Sequence, residues 1–213
     1  MRLDRPVIVL GGGGHAKVVI DTLQEMEHKI LGCVIAGNIE SQLEVMGVAI
    51  LGDDKYVEHY APEEVFLING IGSIGNSTLR KNIFEKFKQK QYMFLNVIHP
   101  NSFVSKNAVL GEGVQIMAGS VIQSGTIIGR NCIINTKASI DHDSKVENHV
   151  HIAPGAVLCG NVYIGQATHV GAGATIIQGI HVGSSSIVGA GSVVVKNVPD
   201  NTIVFGNPAK CKK

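Results

Sequence analysis

One histidine of the chain lies directly between two carboxylates. His142 follows Asp141 and precedes Asp143. A carboxylate beside an imidazole can fix the tautomer of the ring and favours its protonated form, which suits a general base that works near neutral pH. The alternative is a solvated surface histidine between two acidic side chains. If His142 does transfer protons, other parts of the chain must hold a substrate against its ring.

Two glycine clusters could bind an anion. Gly11–Gly14, followed by His15, comes after the apolar segment Val7–Leu10 and before a helical pattern. A strand, a glycine turn and a helix start offer bare backbone N–H groups and a helix dipole to a phosphate. The second cluster, Gly70–Asn76, follows a strand predicted at Val65–Ile68. Either cluster could instead be a tight strand-to-helix turn without a ligand.

The segment around these clusters alternates strands and helices. Strands are predicted at Val7–Leu10, Ile30–Ile35 and Val65–Ile68, and a helix at Ser77–Lys88. The pattern predicts a small Rossmann-like βαβαβ domain over residues 1–98. An NAD-dependent oxidoreductase is disfavoured, because the second strand is followed by Ala36-Gly37-Asn38 and not by the Asp or Glu that would bind the ribose hydroxyls.

The second half of the chain repeats with a period of six residues. From Val104 to Val194 every sixth residue is aliphatic, and the residue four positions later is small or branched from Ala108 to Ala174. This period fits neither a helix nor a long strand, so each hexad must be a short strand and a turn with both rows facing inward. Glycines follow the aliphatic residue where we expect a tight corner to need them: Gly111, Gly129, Gly165, Gly171, Gly183 and Gly189.

Composition excludes several classes of function. Eighteen basic against seventeen acidic side chains leave no field that would gather nucleic acid or an anionic membrane surface. The apolar run Val7–Leu10 is far too short for a signal peptide or a membrane span, so we expect a cytoplasmic protein. The four cysteines are scattered, without the close pairs of a zinc site or a disulfide scaffold, and we expect no metal.

Five motifs spread over nearly the full length carry a resemblance: Gly11–Lys17, Ile98–Pro100, Ile134–Thr136, Asp141–Asp143 and Gly206–Lys210. Together with the hexads, they resemble the sugar-nucleotide acetyltransferases of bacterial glycan synthesis, which N-acetylate 4-amino sugars on UDP or GDP. A sister group O-acetylates sialic acids. The resemblance implies that the α/β domain is followed by an all-β left-handed parallel β-helix over residues 99–213, with eighteen residues per turn. It also implies a homotrimer with active sites at the subunit interfaces.

The resemblance assigns catalytic roles to three residues. His142 would be the general base, and Asp143 would orient its ring. Gly160 would donate its N–H to the oxyanion. Residues eighteen apart stack on successive coils at about 4.8 Å, which brings Gly160 next to His142 and supports this assignment.

The resemblance also implies binding residues for acetyl-CoA, as cosubstrate, and for the sugar nucleotide. The acetyl-CoA positions are His151 near the thioester, Ala172 and Ala190 along the pantetheine, and Gly206, Pro208 and Ala209 at the adenine end. The sugar-nucleotide positions are Gly11, Gly12, Gly13, Gly14, His15, Gly75, Asn76 and Asn135. We interpret His149, His169 and His181 as surface residues.

The leading hypothesis is N-acetylation of the 4-amino group of a nucleotide-linked 4-amino-4,6-dideoxy or 2,4,6-trideoxy hexose. O-acetylation of sialic acid or a related sugar is the enzymatic alternative, and a β-solenoid that only binds a partner is the non-enzymatic one. The nucleotide stays open, because many relatives carry acidic residues where this chain has Ala36-Gly37-Asn38. The Gly70–Asn76 loop is longer than the Ile-Gly-Asn type of the family, which leaves the sugar pocket open as well.

Overall fold

The computed structural model describes residues 5–36, 43–75 and 77–212. The chain forms two units, one of Met1–Gly72 with Leu79–Val97 and the other of Ser73–Thr78 with Ile98–Lys213. The short segment Ser73–Thr78 thus belongs to the second unit, although the sequence pattern placed it in the domain of residues 1–98.

The first unit is a six-stranded sheet with two α-helices. The elements are β1 Val7–Leu10, α1 Gly14–Glu25, β2 Ile30–Val34, β3 Glu44–Val45, β4 Val48–Gly52, a 3-10 helix Asp54–His59, β5 Phe66–Asn69, α2 Thr78–Gln89 and β6 Met93–Phe94. The strand order is β3-β4-β2-β1-β5-β6, in which β3 and β4 pair antiparallel and the other neighbours pair parallel.

Hydrophobic periodicity explains the centre of this unit. All four residues of β1 are buried, as expected for a central parallel strand. α1 buries Ala16, Val19, Ile20 and Leu23, which lie on one face of a helix. The predicted α/β fold is therefore confirmed. The sequence pattern missed β3, β4 and β6, of which β3 and β6 have only two residues and give too little alternation to detect.

The second unit is a left-handed parallel β-helix of very short strands, as predicted. Between Phe103 and Val194 the strands pair parallel with the strand eighteen residues further on, as Gln115 does with Ile133. At the C-terminal end Ile187 pairs with Ile203, and the last two strands pair antiparallel through Val204 and Cys211. The strands are β7 Val97–Ile98, β8 Phe103–Val104, β9 Val109–Leu110, β10 Gln115–Ile116, β11 Val121–Ile122, β12 Ile127–Ile128, β13 Ile133–Ile134, β14 Ser139–Ile140, β15 Lys145–Val146, β16 His151–Ile152, β17 Val157–Leu158, β18 Tyr163–Ile164, β19 His169–Val170, β20 Thr175–Ile176, β21 His181–Val182, β22 Ile187–Val188, β23 Val193–Val194, β24 Ile203–Phe205 and β25 Lys210–Cys211.

Both predicted rows of the hexads face the interior. From Ile116 to Val194 the aliphatic row is at most 1 % exposed, and the second row is buried from Val114 to Ala174. The first coil is more open, since Val104 and Leu110 are only partly buried. Stacking of the coils therefore builds one continuous apolar core.

The prediction that six glycines form the tight corners of the β-helix is wrong. None of Gly111, Gly129, Gly165, Gly171, Gly183 and Gly189 has a positive φ. They are needed because successive coils approach closely there: a Cβ atom at Gly165 would lie 2.5 Å from the Ser184 nitrogen. The left-handed residue lies two positions later in the hexad, at Gly113, Gly119, Gly125, Asn131, Lys137, Asp143, His149, Gly155, Asn161, Ala167, Gly173, Gly179, Ser185 and Gly191.

Candidate active site

The Asp141–Asp143 tripeptide forms a corner of the β-helix directly after β14. Asp143 occupies the left-handed corner position with a φ of 57°, a conformation that Asp adopts more readily than most residues. The N–H of His142 donates to Oδ1 of Asp141 at 2.9 Å. Local hydrogen bonding and corner geometry therefore fix the backbone from which the His142 side chain projects.

Asp143 holds the imidazole of His142. Nδ1 donates to Oδ2 of Asp143 at 2.9 Å, and the two side chains are 62 % and 68 % exposed. This hydrogen bond raises the pKa of His142 above its ordinary value. Desolvation opposes the rise, and the charges of Asp141 and Asp143 add to it. Because Nδ1 carries a proton, Nε2 of the neutral ring has the free lone pair and can accept another.

Nε2 of His142 lies against Gly160 on the next coil. A Cβ atom at Gly160 would be 2.6 Å from Nε2 and 2.7 Å from Cε1, so the ring occupies the space that any side chain would need. The Asn161 N–H donates to the His142 carbonyl at 2.8 Å and joins the two coils at this corner. Among the hydrogen bonds of the described residues, none has the Gly160 N–H as donor. The three predicted catalytic residues are therefore brought together.

His151 is a buried histidine with both ring nitrogens hydrogen-bonded. Nδ1 lies 2.5 Å from the carbonyl oxygen of Ser73, which can only accept, so Nδ1 carries the proton. Nε2 accepts from Nδ2 of Asn135 at 3.1 Å, and Oδ1 of Asn135 accepts from the Thr136 N–H at 2.8 Å. These contacts fix both the tautomer of His151 and the orientation of the Asn135 amide. The role of His151 near the thioester stays a prediction.

Two of the three histidines interpreted as surface residues are not on the surface. His149 is only 4 % exposed, because it fills a left-handed corner and its Nδ1 bonds Nδ2 of Asn131, which fills the same corner one coil earlier, at 3.0 Å. His169 is half-buried with its ring edge-on to His151, and burial lowers its pKa. Only His181 of the three is exposed, and it stacks on Tyr163.

The first glycine cluster leaves open space at the start of α1. Gly13 is the N-cap, with extended backbone and no side-chain hydrogen bond, and the first turn contains no acidic residue. Cβ atoms at Gly13 and Gly14 would meet nothing within 4 Å, whereas one at Gly12 would lie 2.8 Å from Ile35. Since the first N–H groups of a helix lack intrahelical partners, this loop can accept an anion.

The second glycine cluster packs on the first. A Cβ atom at Gly11 would lie 3.2 Å from Cγ1 of Ile71, and one at Gly72 would lie 3.2 Å from Cβ of His15. Further along the loop, Gly75 has a φ of 68° and belongs to the second unit. The predicted substrate residue Asn76 lies outside the described residues, as do Gly37 and Asn38.

Apart from the buried His151, the residues predicted for acetyl-CoA occupy two stretches at the surface of the β-helix. Ala172 and Ala190 stack eighteen residues apart on one corner. Pro208 and Ala209 line a cavity of about 340 Å³ together with Lys196 and Lys210. Gly206 begins this C-terminal stretch, and its N–H donates to Ser192 Oγ at 3.1 Å.

Sequence reasoning missed two residues of these sites. Ser73 was part of a glycine cluster, but nothing in the sequence pairs it with His151, 78 positions away. Arg80 is buried in α2 and bonds the carbonyls of Asn69 and Ile71. Its spacing of four and seven residues from the buried Phe84 and Phe87 was the available signal, since it puts all three on one helix face.

Within residues 5–36, 43–75 and 77–212, no group of three His, Cys, Asp or Glu side chains is arranged to hold a metal ion. Over the same part of the chain, neither α-helix has the length and apolar character needed to cross a membrane.

Two family profiles match the chain. Residues 6–87 match the family described as PglD N-terminal domain. Residues 107–142 and 143–178 match the family described as Bacterial transferase hexapeptide (six repeats). Among curated proteins, UDP-N-acetylbacillosamine N-acetyltransferase of Bacillus subtilis (strain 168) is 38 % identical over 115 residues, which are 53 % of this chain and 51 % of that protein. The match thus spans about half the length of this relative.

Solved structures match over nearly the whole chain. A histidine-to-asparagine variant of perosamine N-acetyltransferase from Caulobacter crescentus, in complex with CoA and GDP-perosamine, is 37 % identical with a TM-score of 0.90, covering 98 % of this chain and 97 % of that one. The acetyltransferase domain of PglB from Neisseria gonorrhoeae FA1090, in complex with acetyl coenzyme A, is 35 % identical with a TM-score of 0.90, covering 98 % and 99 %.

Proposed function

The chain belongs to the sugar-nucleotide acetyltransferases of the left-handed β-helix hexapeptide-repeat family, and from this premise we propose that it N-acetylates a nucleotide-linked amino sugar. The acetyl donor is acetyl-CoA, and the acceptor is the 4-amino group of a 4-amino-4,6-dideoxy or 2,4,6-trideoxy hexose on UDP, GDP or dTDP. The relatives with bound CoA, acetyl coenzyme A or GDP-perosamine support this assignment.

The observation that carries the proposal is the contact between His142 and Gly160. The imidazole is oriented by Asp143 through Nδ1, and its Nε2 and Cε1 atoms pack against the residue with an available amide N–H. A proton acceptor and an oxyanion donor on adjacent coils are the two groups that acyl transfer to an amine requires.

We propose the following reaction at this corner. The sugar amine attacks the carbonyl carbon of the thioester, the C–N bond forms, and Nε2 of His142 accepts the proton that the amine loses. The Gly160 N–H stabilises the negative charge on the carbonyl oxygen. The C–S bond then breaks, and the CoA sulfur leaves with the proton from His142. Asp143 stabilises the imidazolium that exists between these two proton transfers.

The binding residues complete the proposal. The sugar nucleotide contacts Gly11–His15, Gly75, Asn76 and Asn135; the open space at Gly13 and Gly14 and the fixed amide of Asn135 support this. Acetyl-CoA contacts His151, Ala172, Ala190, Gly206, Pro208 and Ala209. The lysines beside the C-terminal cavity support placing the phosphates of CoA there, since a cation attracts an anionic group.

We further propose that the active unit is a homotrimer in the cytoplasm, with acetyl-CoA in the groove between neighbouring β-helices. Large apolar side chains are exposed on several of the short strands, and they support an interface along the β-helix. They are Phe103, Val109, Ile127 and Val157.

The decisive experiment is acetyl transfer to a panel of acceptors. Purified protein is incubated with acetyl-CoA and with UDP-, GDP- or dTDP-linked 4-amino-6-deoxy hexoses, and released CoA is measured by its free thiol. Mass and NMR spectra of the product locate the new acetyl group. We expect turnover of at least one acceptor, with the acetyl group on the 4-amino nitrogen. Matched acceptors with a 4-hydroxyl group serve as controls and should not react.

Two outcomes would overturn the proposal. Acetylation of a hydroxyl group on free or CMP-linked sialic acid, without reaction at any 4-amino sugar, would assign the chain to the O-acetylating sister group. Absence of CoA release across the whole panel would leave the β-helix as a binding module.

A further inference from the structure

Arg80 is a buried arginine in the first turn of α2. It is 2 % exposed and shares its helix face with Phe84 and Phe87. Burying a charged group costs free energy. A cation in the first turn also opposes the helix dipole, and this turn contains no acidic residue. The stability of α2 therefore does not explain why an arginine lies here.

The guanidinium of Arg80 holds the loop that follows β5. Its Nη1 donates to the carbonyl oxygens of Asn69 at 2.7 Å and of Ile71 at 2.6 Å. In return, Nδ2 of the buried Asn69 donates to the Arg80 carbonyl at 2.9 Å, and the Ile71 N–H donates to Oδ1 of Asn69 at 3.3 Å. Reciprocal hydrogen bonds thus tie the first turn of α2 to residues 69–71.

These bonds orient the peptides of the loop. In a trans peptide the C=O and N–H groups point in opposite directions. Because the Ile71 carbonyl points at the guanidinium, the Gly72 N–H points away from it. Arg80 thus orients the carbonyl oxygens of the loop toward its guanidinium and leaves the Gly72 N–H on the opposite side of the loop.

The loop held by Arg80 packs against the strand end and the first glycine cluster. A Cβ atom at Gly70 would lie 2.8 Å from Val9 and 3.0 Å from the Leu10 carbonyl oxygen. Gly11 also lies close to the loop, since its Cβ atom would lie 3.3 Å from the carbonyl carbon of Gly70. Any shift of the loop therefore moves atoms that shape the space at the start of α1.

We propose that Arg80 is a positioning residue for the diphosphate of the sugar nucleotide, an inference that rests on the proposed function. Its hydrogen bonds fix both glycine clusters in the conformation that accepts the diphosphate. Its buried positive charge adds to the attraction of this site for an anion. Arg80 does this through the loop, without contacting the sugar or the acetyl group.

The test compares three variants of the full-length protein. Arg80→Met removes the charge and the hydrogen bonds. Arg80→Lys keeps the charge but lacks the planar guanidinium and its several N–H donors. Lys81→Met is the matched control, with the same charge change one residue further along α2. Steady-state kinetics give kcat and both KM values. Hydrogen exchange of the ligand-free protein reports on the amides of residues 11–15 and 69–72.

For Arg80→Met we expect KM for the sugar nucleotide to rise about tenfold or more, while kcat and KM for acetyl-CoA stay within about twofold. Arg80→Lys should lie between Arg80→Met and the wild type, and Lys81→Met should match the wild type. The amides of residues 11–15 and 69–72 should exchange faster in both Arg80 variants. If Arg80→Met does not fold, the same measurements on Arg80→Lys decide the test.

Three results would overturn the inference. An unchanged KM for the sugar nucleotide in a folded variant would do so, as would unchanged exchange at both glycine clusters. A uniform loss of kcat and of both affinities would reduce Arg80 to a structural role. Absence of turnover by the wild type would instead refute the proposed function, and exchange in the ligand-free protein would still decide whether Arg80 fixes the clusters.

Discussion

Replacing Gly160 by alanine tests the proposed geometry with a single methyl group. Gly160 does not have a positive φ, so its backbone accepts alanine without strain. The new Cβ atom would lie 2.6 Å from Nε2 of His142, where ordinary contact begins at 3.4 Å. The ring must therefore move by about 0.8 Å, and a displacement near 1 Å of a catalytic group costs on the order of 100-fold in rate.

Stability should change little in this variant. The His142 side chain is 62 % exposed and can swing into solvent, so we expect the free energy of unfolding to stay within about 0.5 kcal/mol of wild type. The assay is kcat by CoA release, with the melting temperature measured in parallel. The loss of about 100-fold in kcat corresponds to roughly 2.7 kcal/mol in the activation free energy.

A double mutant supplies the control. When His142 is already alanine, the methyl group at Gly160 meets no ring, so Gly160→Ala should cost less than about twofold further in kcat. The reasoning is refuted if the single variant retains kcat within about threefold of wild type. It is also refuted if the two losses multiply, because the effect would then not pass through the imidazole.

Two further predictions concern pH dependence and stability. Asp143→Asn removes the charged hydrogen-bond acceptor that raises the pKa of His142 above 6.5. Since the neutral ring is the active base, activity is lost as pH falls through this pKa, so the acid limb of kcat/KM should move to lower pH in the variant; an unmoved limb would contradict the assignment. Gly165→Ala should lower stability by about 1–3 kcal/mol, because its Cβ atom would meet backbone of the next coil, whereas Gln166→Ala should be nearly neutral in thermal unfolding; equal melting temperatures would contradict the close-approach argument.

The inward rows of the β-helix were readable from the sequence because their physical cause is local and repeats. Each inward side chain must be apolar or small, and the requirement returns every six residues along the whole β-helix. The corners gave no such signal. The left-handed position is filled by Gly, Asn, Asp, Lys, His, Ala and Ser in different coils, so composition alone could not locate it.

The site was predictable only where a motif is contiguous. Asp141–Asp143 is a tripeptide, and its register fixes Gly160 once the turn length of eighteen residues is known. The hydrogen bond of Ser73 to His151 joins residues 78 positions apart, and no pattern in one sequence reveals such a contact. The burial of Arg80 is indicated only by its place on one helix face with Phe84 and Phe87, against the usual expectation that a charged residue within a helix faces solvent.

The most direct test of the central claim is kcat for His142→Ala on the best acceptor of the panel, beside the exposed control His181→Ala. If His142 is the general base, its removal should lower kcat by about 10²- to 10⁴-fold at neutral pH, and the control should match wild type. A kcat for His142→Ala within about threefold of wild type would contradict the account.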